Sequence, residues 1–284
     1  MSVLRCPACG FLWLARKILK DDYYNDVDSG MDTAKNERRR RNMRERIQTF
    51  LRYIPSLDDT CDIGTGEGTF LSVLKEQGFV RCFGIDPSDV CVRHARGMGL
   101  DVVRGSIRDI IARIGGRTVR VFTLFHVVEH LEDPQADLRT LADQLPHGGY
   151  IIIETPNKRG FSARMHGALW DLYYPEHLWY FDDRTLPRFI EGLGLRIVAS
   201  GRRDFDAKGK GIRELLWRLR LIRLMRCNSV NRVQGTEAKP KRRAASNAPT
   251  RKEGAFLRLV RSFLAHFMQW SGNVDHVWVI AQKD

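Results

Sequence analysis

The residues with the clearest chemistry stand in one stretch, Cys61-Asp62-Ile63-Gly64-Thr65-Gly66-Glu67-Gly68-Thr69-Phe70. Glycines at 64, 66 and 68 let a backbone turn sharply and approach a ligand closely, and a helix starting behind them supplies amide donors. A dinucleotide fingerprint needs a glycine where Thr69 stands, so a pyrophosphate is a poor match. Asp62 points the same way, because a carboxylate just before the glycines repels a pyrophosphate and attracts an amino group. Asp86, at the end of the next apolar run in Gly84-Ile85-Asp86-Pro87-Ser88, is placed to accept hydrogen bonds from two ribose hydroxyls. The expected ligand carries a ribose and a cationic end.

Short apolar strands and helices must hold these residues. "DTCDIG" reads as a strand ending in the glycines, and "GTFLSVLKEQG" as a helix closed by Gly78. "VRCFGID", "DVVRGS", "VRVFTLFHVV" and "GGYIIIETP" read as further strands, with helices at "SDVCVRHARGMG" and "DPQADLRTLADQL" between them. Such alternation predicts a parallel sheet with helices on both faces and ligands at the carboxyl ends of the strands. A basic helix is expected over 35–54, with Met43, Ile47, Leu51 and Ile54 on one side. A helix at "DRTLPRFIEGLG", a strand at "LRIVASGRRD" and a last strand at "VDHVWVIAQKD" complete the core.

S-adenosylmethionine combines a ribose with a cationic end. With "DIGTGEG", "GIDPS", "VFTLFHVVEHLEDP", "LPHGGYIIIETPN" and "YYPEHLWYFDDRTLPRFIEGLG" in order, residues 58–204 resemble the class I methyltransferases that use this cofactor, in a branch with bacterial glycan and small-molecule enzymes. The resemblance implies a Rossmann-like, doubly wound, mostly parallel seven-stranded sheet with helices on both faces. It implies that Asp62, Gly64, Gly66 and Gly68 surround the methionine end and that Asp86 holds the ribose. Ser106 and Ile107 would border the adenine, and His126 and Val127 would lie beside the sulfonium. Ser106 and Arg120 depart from the pattern, each standing where an acidic residue is common.

Methyl transfer to a hydroxyl needs an oriented acceptor and a proton acceptor. His177, past the last active-site loop and among aromatics, is the preferred base, with Tyr173 and Tyr174 as wall residues. Glu129 and His130 have acid–base types, but their place suits capping and loop linking better. Cys6 and Cys9 form half of a zinc knuckle. Related chains carry a second such pair, but the first sixty residues here hold no other Cys and no His, so no metal is expected.

The chain has 284 residues, 43% of them hydrophobic, and a net charge of +13. Residues 205–261 hold sixteen Lys or Arg against four Asp or Glu, which places most of the excess in one segment. Four parts are expected: a knuckle-like segment 1–34, a core 35–204, a basic helical insertion 205–272 with a flexible loop, and the last core strand 273–284. Arg alternating with Leu, Trp and Phe in the insertion suits an anionic membrane surface better than nucleic acid. Scattered cysteines, no run of ~20 apolar residues and no secretory signal predict a cytoplasmic chain, membrane-associated through that insertion. The expected function is O-methylation of a sugar, a lipid-linked saccharide or another small molecule. RNA methylation and a non-catalytic, cofactor-binding partner subunit are the alternatives, and the absence of an "NPPY"-like tetrapeptide after the fourth strand speaks against RNA.

Overall fold

The computed structural model describes residues 2–15, 33–173, 175–203 and 275–284. The chain separates into two units, Met1–Phe205 with Asn273–Asp284, and Asp206–Gly272. All described residues belong to the first unit. The expected helical insertion and Tyr174 lie outside them.

In chain order the elements are β1 (Val3–Arg5), β2 (Leu12–Leu14), α1 (Thr33–Phe50), β3 (Thr60–Ile63), α2 (Thr69–Glu76), β4 (Phe83–Asp86), α3 (Asp89–Gly97) and β5 (Val102–Arg104). They continue with α4 (Ile110–Ile114), β6 (Val121–Phe125), α5 (Pro134–Gln144), β7 (Tyr150–Pro156), α6 (Phe161–His166), β8 (Trp179–Tyr180), α7 (Thr185–Glu191), β9 (Arg196–Arg203) and β10 (His276–Gln282). Seven strands form one sheet in the order β5-β4-β3-β6-β7-β10-β9. Pairs from β5 to β7 are parallel, and β10 runs antiparallel to both its neighbours.

The sheet is covered on both faces, so its strands are apolar nearly throughout. Alternation along β7 shows the two-sidedness: Ile151 and Ile153 join Leu138, Leu141 and Val279 in one core. Ile152 faces the opposite way, into a core with Ile47, Phe50, Leu74 and Ile280. Helix α1 supplies Ile47 and Phe50 to that second core. Leu51, expected on the inner face, is 38% exposed, and Phe50 takes the place assigned to it. No helix of the described residues is long and apolar enough to cross a membrane.

A small antiparallel sheet, β1-β2-β8, joins the start of the chain to the segment that carries His177. Its hairpin turns through the Cys6–Cys9 pair, where the Cys6 amide donates to Phe11 O at 2.8 Å and Gly10 takes φ +71°. The amide of Leu14 then donates to Leu178 O at 2.8 Å.

Candidate active site

The carboxyl ends of β3, β4, β6 and β7 meet at one edge of the sheet. Between β3 and β4 the glycine loop is pinned by Gly64 N–H, which donates to Ile85 O at 2.8 Å. Gly64 has φ +67°, and a Cβ there would lie 2.5 Å from Val127 Cγ2, so no larger residue fits without displacing Val127. Gly68, also left-handed at φ +79°, caps α2 against Ala95 and Leu100. Gly66 has φ +55° with nothing within 4 Å of a built Cβ, which leaves its outer side open to a ligand.

A cavity of about 410 Å³ opens beside this loop, and Gly64, Asp86, Ser106, Ile107, His126 and Val127 line it. Asp62, Gly66 and Gly68 belong to the loop beneath and do not line the cavity. Asp86 receives Gly66 N–H at 2.7 Å and Ser88 N–H at 2.8 Å, one on each carboxylate oxygen. Each oxygen keeps acceptor capacity for a diol. Burial raises the Asp86 pKa, and these two amides oppose the rise. The Ser106 hydroxyl is already bonded to Asp109 at 3.0 Å. Asp62 is 3% exposed and accepts from Thr123 Oγ1 at 2.5 Å. Burial lifts its carboxyl to about 6 despite that hydrogen bond.

A cluster of imidazoles around buried carboxylates stands at the ends of β6 and β7. His126 has φ +58°, unusual for a side chain of its size, and its amide donates to Glu154 O at 2.8 Å. Its Nδ1 lies 3.4 Å from Glu129 Oε1 and its Nε2 3.8 Å from Glu154 Oε1, with the ring 39% exposed. Glu154, fully buried, forms a two-pronged pair with Arg46 of α1. Burial alone would raise the Glu154 carboxyl, but Arg46 outweighs it and the net direction is down. His276, at the start of β10, packs edge-on to His126 at 5.0 Å, and burial holds it at about 4.

His177 is 3% exposed and does not line the cavity. Its Nδ1 donates to Leu172 O at 3.1 Å, and its Nε2 stands 4.0 Å from Glu129 Oε1. Burial lowers the imidazole to about 4, which leaves it neutral at pH 7. His130 does line the cavity, and its Nδ1 donates to Glu176 O at 2.8 Å. The structure therefore brings Glu129, His130 and His177 together, although a linking role was expected for the first two. Tyr173, expected as a wall residue, does not line the cavity and packs between Trp170 and Tyr180, with ring centroids at 5.2 and 4.9 Å. Glu154 and His276 were missed in the sequence. A carboxylate inside the apolar run "YIIIETP" was the available signal, because a buried charge demands a partner.

A family model described as a methyltransferase domain matches residues 36–200. The chain belongs to this family of S-adenosylmethionine-dependent methyltransferases. Among curated relatives of the methyltransferase, a ubiquinone biosynthesis O-methyltransferase from Escherichia coli O127:H6 is 28% identical over 109 residues. That match spans 37% of this chain and 45% of the relative, so the chain covers less than half the length of the curated protein it matches. A solved S-adenosylmethionine-dependent methyltransferase from Archaeoglobus fulgidus superposes with a TM-score of 0.55 at 19% identity, over 88% of this chain and 98% of that one. The plantazolicin methyltransferase BamL, solved with S-adenosylhomocysteine, superposes with a TM-score of 0.52 at 12% identity, over 92% and 88%. These likenesses establish the fold of the methyltransferase. Its own site fits the cofactor, since the tight Gly64 turn and the remaining acceptor capacity of Asp86 border one cavity.

Proposed function

We propose that this methyltransferase O-methylates a small hydroxylated acceptor. Bound S-adenosylmethionine supplies a methyl group already activated on sulfonium, so the protein's share is to orient the acceptor and to take its proton. In this reading Asp62 meets the amino end of the cofactor and Asp86 its ribose, while Ser106 and Ile107 border the adenine.

The observation that carries the hydroxyl reading is His126, an accessible imidazole on the cavity wall between two carboxylates, Glu129 at 3.4 Å and Glu154 at 3.8 Å. A proton taken from a hydroxyl turns this ring into an imidazolium, and both carboxylates stabilise that charge. We assign the proton-accepting role to His126, in place of the buried His177, whose Nε2 stands 4.0 Å from Glu129 Oε1. A histidine in this role contributes roughly 10²- to 10⁴-fold to turnover.

The test is transfer of label from methyl-labelled S-adenosylmethionine to three acceptor classes: sugar nucleotides and lipid-linked saccharides, small hydroxylated aromatic compounds, prompted by the ubiquinone biosynthesis relative, and total RNA. A methyl ether in either small-molecule class supports the reading, and label confined to RNA overturns it. With the acceptor in hand, His126→Asn should lower kcat by at least about 100-fold while S-adenosylhomocysteine still binds. Unchanged turnover in that variant would remove His126 as the base.

A further inference from the structure

We propose that Glu129, His130 and His177 form a binding site for a divalent transition-metal ion, with zinc the best match to the donor set. Two tautomers and one orphaned oxygen carry the argument. The Nδ1 atoms of His130 and His177 lie 2.8 and 3.1 Å from backbone carbonyl oxygens, of Glu176 and Leu172 respectively. A carbonyl only accepts, so each Nδ1 carries its proton and a neutral ring keeps its lone pair on Nε2.

Glu129 is 1% exposed, and its two oxygens differ. Oε2 accepts from Thr155 Oγ1 at 2.9 Å, whereas Oε1 is buried with no hydrogen-bond partner. His126 Nδ1 at 3.4 Å lies near Oε1 without hydrogen-bond alignment. One donor atom from each of Glu129, His130 and His177 lies within 4.8 Å of the others. The unpartnered Oε1 of Glu129 thus sits within ligand distance of two imidazoles around one point that a cation would fill. Each candidate ligand also has its own outer hydrogen bond, to Thr155, Glu176 or Leu172, the arrangement that orients ligands in metal centres. Two imidazoles and one carboxylate suit zinc and its transition-metal neighbours, and three protein ligands leave a coordination position for another molecule. Of the three residues, His130 lines the cofactor cavity.

Metal content reads this inference without turnover, so it stands or falls separately from the proposed acceptor class. Chelator-treated full-length protein is titrated with zinc chloride by calorimetry, and protein purified without chelator is assayed by elemental mass spectrometry. The expected result is about one zinc per chain, lost or weakened at least tenfold in Glu129→Gln, His130→Gln and His177→Ala. The Cys6→Ser/Cys9→Ser variant should keep it. If Glu129→Gln fails to fold, the half-buried His130→Gln carries the test, with circular dichroism and S-adenosylhomocysteine binding as fold controls. No zinc binding by the wild-type protein, binding unchanged in a folded His130→Gln, or binding lost only in the cysteine variant would each overturn the site.

Discussion

Asp62 is held between two opposing demands. Its burial raises the carboxyl to about 6, so ionisation at pH 7 carries a penalty on the order of 3 kcal/mol. A cofactor ammonium placed against it offsets that penalty. A carboxyl raised from its unfolded value contributes stability that is complete below the unfolded pKa and is lost as pH rises through 6. The Asp62 contribution therefore grows as pH falls from 7 toward 5, and it is read as the difference between wild type and Asp62→Asn, because His177 and His276, held neutral by burial, lose stability over the same range. Affinity for S-adenosylhomocysteine should move the other way and fall by up to tenfold per pH unit below 6. Asp62→Asn keeps the Thr123 hydrogen bond and removes the charge. It should leave the ligand-free melting temperature equal or higher and weaken S-adenosylhomocysteine about 10- to 100-fold, as loss of a charged hydrogen bond implies. Calorimetry across pH 5–8 checks both, and an affinity independent of pH in the wild-type protein would exclude the contact. The place of Asp86 on the cavity was legible in the sequence because the glycine spacing fixes the backbone beside it, whereas Asp62 lies beneath the loop. The His126–Glu129–His177 cluster was not legible, because its members are joined by packing across 51 residues with no spacing to mark them.

Helix α1 is tied to β7 by Arg46 and Glu154, whose side chains are 5% and 0% exposed. Breaking one side of such a pair leaves an uncompensated charge in the core, so Arg46→Met should cost about 3–5 kcal/mol in urea unfolding. Replacing both, Arg46→Met with Glu154→Leu, removes the orphaned charge and should recover at least half of that loss. A double variant as unstable as the single one would mean that packing of α1, not the ion pair, sets the cost. Long, periodic elements such as α1 and the parallel strands were readable because burial imposes a pattern on them. The β1-β2-β8 sheet was not readable. Strands of two or three residues have too few alternations to show a period, and only their pairing with one another, β1 to β2 and β2 to β8, defines them.

At the scale of the whole molecule, β9 and β10 are a hairpin interrupted by a unit. His276 pairs with Arg203, so the strand ends on either side of the interruption are neighbours in the sheet. Asp275 is held independently, its carbonyl accepting from Asn157 N–H and its carboxylate from Ser162 N–H, both at 2.8 Å. A short turn can thus close the hairpin. We predict that replacing residues 206–272 by a short Gly- and Asn-containing turn yields a folded core that binds S-adenosylhomocysteine as the full chain does. The same replacement removes sixteen basic and four acidic residues, almost the whole charge excess. The full chain should therefore sediment with phosphatidylglycerol vesicles at low salt and release as salt screens the charge, while the shortened chain stays in the supernatant. Binding that survives the deletion would move the membrane contact to the arginines of α1. A shortened chain that folds but loses S-adenosylhomocysteine would show that the removed unit completes the cofactor site.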